Sequence, residues 1–210
     1  MSRKNILCYG DSNTYGADPA NPGRFGPEVR WTGVLARELG SGYHVIEEGL
    51  NGRTTRWDDQ IEPGRNGLTT LQPIIESHNP IDLMTIMLGT NDLKARFGLN
   101  ASDIAQSAGG LGQIAQRLAR NAAGQPSRIL LMAPPPTAKI GDYDLMFAGA
   151  HEKSRQFAEY YARSARWHGL DFLDAGSVIR SSDADGIHFD PDQHELFGKA
   201  VAAKIRELIG

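Results

Sequence analysis

The chain has 210 residues, with 22 Lys and Arg against 25 Asp and Glu, a formal net charge of -3, and 40% hydrophobic and 22% charged residues. At about 150 residues per domain, this predicts a single domain over residues 1–210 with ample chain for a buried core. The charge balance suggests no polyanion-binding surface, so no nucleic-acid partner is expected.

No apolar run approaches the roughly 18 residues of a membrane span, and residues 1–10 pass from a basic start straight into a strand-like segment without a signal-peptide core. The lone Cys8 excludes an internal disulfide and a cysteine-clustered zinc site, and its apolar surroundings read as core packing. The expectation is a cytoplasmic protein with no membrane partner.

In chain order, short apolar runs alternate with longer segments of helical period, which is the α/β signature. Strands are predicted at residues 5–9, 43–47, 81–88, 128–133 and 170–173, most of them followed by Gly, Pro, Asp or Asn, as buried parallel strands are when they end at loops. Ile104, Ala108, Leu111, Ala115 and Leu118 form one stripe at helical spacing, and Phe157, Tyr161 and Ala165 another. The last helix is announced by Asp190-Pro191-Asp192-Gln193: an N-cap, a proline at the first helical position and a Gln able to close a capping box. Leu196, Ala200, Ile205 and Leu208 would then face inward. Together these elements predict an α/β fold, a three-layer α/β/α sandwich with a five-stranded parallel sheet of the flavodoxin-like kind.

In open α/β sheets ligands bind beyond the carboxyl ends of the strands, and the residues found there are polar. After the first strand comes Gly10-Asp11-Ser12-Asn13-Thr14, where Ser12 is a nucleophile, a helix N-cap or part of a phosphate-holding turn. After the second comes Asn51-Gly52-Arg53, which alone reads as a tight turn. After the third comes Gly89-Thr90-Asn91-Asp92, with an Asn able to donate to an oxyanion or simply to form a turn. Between the fifth strand and the last helix lies Asp185-Gly186-Ile187-His188, whose carboxylate can fold back onto the imidazole Nδ1 and leave Nε2 for a serine hydroxyl. Asp183, Asp190 and His194 lie close enough to compete for these parts. His44, His78, His151 and His168 have no comparable company, and the long segments 17–30, 52–67 and 134–147 read as functional or mobile loops.

These four loops, in this order, resemble the conserved blocks of the SGNH hydrolase family, also called GDSL-type esterases. The similarity extends to an arylesterase and acyltransferase subgroup through RWTGVL at 30–35, EEGLNGRTT at 47–55, MLGTND at 87–92 and DAGSVI at 174–179. The resemblance implies a serine esterase acting on short-chain acyl esters of aryl, alkyl or sugar alcohols, with acyl transfer to alcohols as a further activity. It implies a catalytic triad of Ser12, Asp185 and His188, and an oxyanion hole made by the N–H groups of Ser12 and Gly52 with the Asn91 amide. Asn13, Lys94, Phe97, Ile187 and the segment from Tyr143 through Met146 to Phe147 would surround the substrate, Asp11 and Asp92 would brace their loops, and no metal or cofactor would be needed. The expected partners are a small-molecule ester and further copies of the chain, with Trp57 and Phe97 suited to an interface. Asn13 departs from the Leu common in the first block. Two rival expectations stand beside this one: a flavodoxin-like phosphate- or flavin-binding protein without hydrolase activity, and a metallophosphoesterase using Asp11, Asn91, Asp92 and His188.

Overall fold

The computed structural model describes residues 3–141 and 143–210. Its centre is a parallel sheet of five strands, β1 (Lys4–Gly10), β2 (Tyr43–Gly49), β3 (Leu83–Met87), β4 (Arg128–Ala133) and β5 (Asp171–Asp174), in the order β2-β1-β3-β4-β5. Every strand-to-strand pairing is parallel. The strands follow the sequence pattern, with two shifts. Ile81 and Leu88 are buried but flank β3 rather than extending it, and the last strand runs one residue later than expected.

Strand alternation divides the core into two faces. Leu7, Tyr9, Met84, Ile86, Ile129 and Leu131 pack against α3 (Gly67–His78), α4 (Ala101–Leu118) and α6 (Phe157–His168). Ile6, Cys8, Leu83, Met87, Leu130 and Met132 pack against α2 (Trp31–Leu39) and α7 (Pro191–Ile209). This is the three-layer sandwich expected. Cys8 is fully buried, and burial pushes its thiol up to about 12, so it is inert packing. Two short helices, α1 (Ser12–Tyr15) and α5 (Ala150–Ser154), complete the set.

The α4 and α6 stripes face the core as expected, and on α7 Ile205 is buried and Leu208 packs against the core, but Leu196 turns outward. Leu196 is 48% exposed, while His194, Phe197, Val201 and Ile205 form the buried stripe. The capping box also fails to form. Asp190 stands at the N-cap, yet its Oδ1 accepts from Ser182 Oγ at 2.7 Å, and Gln193 Oε1 accepts from the Arg180 N–H at 3.0 Å. Both side chains are used to hold the loop that precedes the helix. Helices α2 and α3 escape the sequence pattern because α2 carries Gly33 and α3 carries Pro73. At Gly33 a Cβ would stand 1.6 Å from the Pro27 carbonyl oxygen, so the loop and helix can approach only at glycine.

The chain leaves β1 for β2 on one side and returns to β3 on the other. The strand order therefore reverses at β1, and a crevice opens between the carboxyl ends of β1 and β3. Ser12 and Asn91 stand on its two sides.

Candidate active site

Asp11 caps α1, its Oδ1 accepting the Asn13 N–H at 3.0 Å, and this turns Ser12 into the first helical residue directly after β1. Ser12 Oγ lies 2.9 Å from His188 Nε2, and His188 Nδ1 lies 2.5 Å from Asp185 Oδ2. The other oxygen of Asp185 accepts the N–H groups of Ile187 and His188, at 2.8 and 2.9 Å. Gly186 makes that return possible: its φ is +80°, a region glycine enters without steric cost. Burial alone would raise the Asp185 carboxyl, but its hydrogen bond and charge interaction with His188 and the two backbone donors outweigh that, holding it below its ordinary value. Asp183 is exposed, Asp190 is engaged by Ser182, and His194 is buried elsewhere, so the competing residues take no part in this line.

Asn51 and Gly52 occupy the middle of a turn closed by the Arg53 N–H on the Leu50 carbonyl at 3.1 Å, with Gly52 at φ +76°. Asn91 opens a short 3-10 turn after β3, and its Nδ2 donates to the Arg53 carbonyl at 3.2 Å. Ser12, Gly52, Asn91 and His188 all border one cavity of about 230 Å³. Of the expected substrate contacts, Lys94, Tyr143, Phe147 and Ile187 line it as well.

Asn13 and Phe97 do not line the cavity. Asn13 is buried behind it, its Nδ2 donating to the Ile187 carbonyl at 3.3 Å, so it ties the serine helix to the histidine loop. Phe97 packs against the core layer formed by α3, α4 and α6. Met146 lines the cavity, as expected of its segment, but the sequence reading missed Ala17, Asn51 and Glu62, which border it from two separate loops. Only the length of those loops pointed their way.

Ionic groups fix two of these loops. Lys94 is buried, with Nζ 2.8 Å from Glu62 Oε1 and 3.6 Å from Asp59, and Arg96 joins the same two carboxylates at 2.9 and 2.6 Å. Elsewhere Arg30 pairs with Glu47 at 2.6 Å while Thr32 Oγ1 donates to the same carboxylate. The RWTGVL and EEGLNGRTT segments therefore form one clamp between the 17–30 loop and β2.

Asp11 and Asp92 lie behind the serine and the asparagine. Burial raises Asp11 to about 6 and Asp92 to about 7. Asp92 is spent on Thr55 and Asp11 on Asn13, while His188 faces Ser12. Among the described residues, no three His, Cys, Asp or Glu side chains gather as metal ligands. A polar groove of about 570 Å³ adjoins the cavity, sharing Ala17, Asn51, Tyr143 and His188 with it and running on past Asp18, Asn21 and Asp185.

A serine hydroxyl joined to an imidazole that is itself held by a carboxylate is the order that nucleophilic catalysis of acyl transfer requires. The chain matches the GDSL-like Lipase/Acylhydrolase family over residues 8–196. It is similar to the aryl esterase of M. smegmatis, at 41% identity over 98% of this chain and 100% of that one, with a TM-score of 0.93. It is similar also to a carbohydrate acetylesterase from Sinorhizobium meliloti, at 38% identity over 99% and 100% of the two chains, with a TM-score of 0.94. No curated protein matches it. The matched family and these neighbours are hydrolases, which leaves the flavodoxin-like binding protein and the metallophosphoesterase without support. The protein is a carboxylic ester hydrolase, and its chain belongs to the GDSL-like lipase/acylhydrolase family.

Proposed function

We propose that the protein hydrolyses short-chain acyl esters, acetyl esters foremost, of aryl, alkyl and sugar alcohols through an acyl-enzyme on Ser12. The observation that carries this reading is the unbroken line of hydrogen bonds from Ser12 through His188 to Asp185, opening on the cavity between β1 and β3. Ser12 Oγ attacks the ester carbonyl carbon while His188 Nε2 takes its proton, and Asp185 holds the imidazole in the productive tautomer. The developing oxyanion is met by the N–H groups of Ser12 and Gly52 and by the Asn91 amide. As the C–O bond breaks, His188 returns the proton to the departing alcohol. Water then enters, gives a proton to His188 and releases the acid in a second passage through the same intermediate geometry. The sequence uses side chains, backbone and water alone.

The size of the cavity supports the short acyl group, because about 230 Å³ lies below the usual range of sites for drug-sized ligands. Its walls of Met146, Phe147 and Ile187 suit an alkyl or aryl group. The adjoining polar groove borders His188, which must protonate the leaving alcohol, so a hydroxyl-rich alcohol fits on that side. The names of the two neighbours, an aryl esterase and a carbohydrate acetylesterase, fit both kinds of alcohol.

We read residues 1–210 as one domain acting in the cytoplasm. No helix among the described residues is long and apolar enough to cross a membrane. We further propose association of copies of the chain, because Ile61 and Leu145 (70% and 85% exposed) stand in solvent on loops that also carry cavity residues. A mass measurement in solution that finds only monomer would exclude it.

The functional test is a series of p-nitrophenyl esters from acetate to octanoate, with a chelator present, on the natural protein and on Ser12→Ala. The expected kcat/KM is highest for acetate, falls along the series, is insensitive to the chelator and vanishes with Ser12→Ala. A rise along the series overturns the short-acyl reading, and activity retained by Ser12→Ala overturns the site.

A further inference from the structure

We propose that Arg53 is the positioning residue of the oxyanion hole: its side chain holds the strand end behind Ser12, and in doing so it anchors the backbone that presents Gly52 and orients Asn91. The proposal rests on reading Ser12, Gly52 and Asn91 as those donors. Arg53 is only 3% exposed, and burial lowers its pKa against the raising effect of Tyr9, Glu48 and Asp11 nearby. A buried cation is expensive, and an apolar side chain would fill the same space at lower cost if packing were all that was required.

The contacts of Arg53 give that cost a purpose. Its Nη1 donates to the Gly10 carbonyl at 2.8 Å and to the Glu48 carbonyl, bridging the carboxyl ends of β1 and β2. Its guanidinium lies over the Tyr9 ring, 4.2 Å from the centroid. Gly10 is two residues from Ser12, so this bridge fixes where the Ser12 N–H emerges. The Arg53 backbone N–H closes the turn that presents Gly52. Its carbonyl accepts one hydrogen of Asn91 Nδ2 at 3.2 Å. A primary amide carries two hydrogens, so Asn91 is left with the second one free for the substrate oxyanion. One residue therefore touches the element behind each donor, from β1, from the β2 turn and from the β3 turn.

The test is a double-mutant cycle with p-nitrophenyl acetate on the natural protein, Arg53→Met, Asn91→Ala and the double variant, with thermal unfolding followed for each. The expected result is a fall in kcat of about a hundredfold for Arg53→Met with KM nearly unchanged, since oxyanion contacts act only in the transition state. In the Asn91→Ala background the same substitution should cost less than about tenfold, because both act through one donor set. Arg53→Lys, which keeps the charge and a donor, should recover part of kcat, and it carries the same cycle if Arg53→Met does not fold. Equal losses in both backgrounds, or an unchanged kcat, overturn the proposal. An unchanged kcat in Asn91→Ala alone instead overturns the oxyanion reading beneath it.

Discussion

The Asp92 carboxylate accepts the Thr55 backbone N–H on both oxygens, at 3.1 and 3.0 Å, and the Thr55 hydroxyl as well. Thr55 continues the turn that holds Gly52, and Asp92 follows Asn91, so the two loops that would bind an oxyanion move as one body. Asp92→Ala leaves that buried N–H unpaired, and the expected cost is about 1–3 kcal/mol of stability, with a further loss of kcat as the loops separate. Denaturant unfolding beside kcat measurements checks both.

Asp92 and Asp11 together predict a dependence of stability on pH. Burial raises Asp92 to about 7 and Asp11 to about 6 from 3.8, so between about pH 4 and 7 the folded state holds more protons than the unfolded one. Stability contributed by these groups is therefore lost as pH rises through that window. Asp92→Asn cannot titrate, so its unfolding free energy should improve relative to the natural protein from pH 4 to pH 7. Parallel curves for the two proteins would contradict this.

His194 predicts the opposite slope. Its Nδ1 accepts the Trp31 N–H at 3.2 Å, its ring lies between Phe25 and Phe189, and burial lowers it to about 4, with His188 and Arg30 adding repulsion. The unfolded state then binds the extra proton between about pH 4 and 6.5, and stability rises with pH across that range by about 3 kcal/mol. His194→Asn keeps an acceptor for Trp31 and should flatten the slope. Equilibrium unfolding at pH 4.5 and 6.5, values chosen inside the window, reads the difference.

Among carboxylates near the histidine, only Asp185 should matter to rate. Asp185→Asn presents the wrong hydrogen-bonding face to Nδ1, and kcat should fall by about ten-thousandfold, as tautomer errors in such triads do. Asp183→Asn, at an exposed position, should leave kcat unchanged. Steady-state kinetics on the two variants separates them.

Gly52→Ala should damage catalysis from the backbone outward. Its φ of +76° strains any L side chain, and a Cβ there would stand 2.8 Å from Glu62 Oε2. The expected loss is in kcat, about a hundredfold or more if the Gly52 N–H turns from the cavity. A rise in KM alone, with kcat intact, would place Gly52 outside the oxyanion hole.

The sandwich was legible because its strands are apolar runs and each ends in a polar loop. The line Ser12, His188 and Asp185 was legible for a different reason: Asp and His lie three residues apart around a glycine, and that spacing sets the turn. Arg53 and Glu62 were not legible, since a lone charged residue in a long loop reads as solvated until the fold buries it or turns it to a cavity. Asn13 was misjudged because adjacency to the serine in sequence does not fix which way a helical side chain points. Leu196 was misjudged because α7 buries the stripe beginning at His194, a polar residue that hydropathy assigns to the surface.

The central claim is that the ester's acyl group passes through Ser12. Rapid mixing with p-nitrophenyl acetate, quenching in acid and intact-mass analysis with peptide mapping tests it most directly. The account predicts a burst of p-nitrophenol matched by one acetyl group per chain on Ser12, absent from Ser12→Ala. Turnover without an adduct, or an adduct on any other residue that forms and decays at the turnover rate, would contradict it.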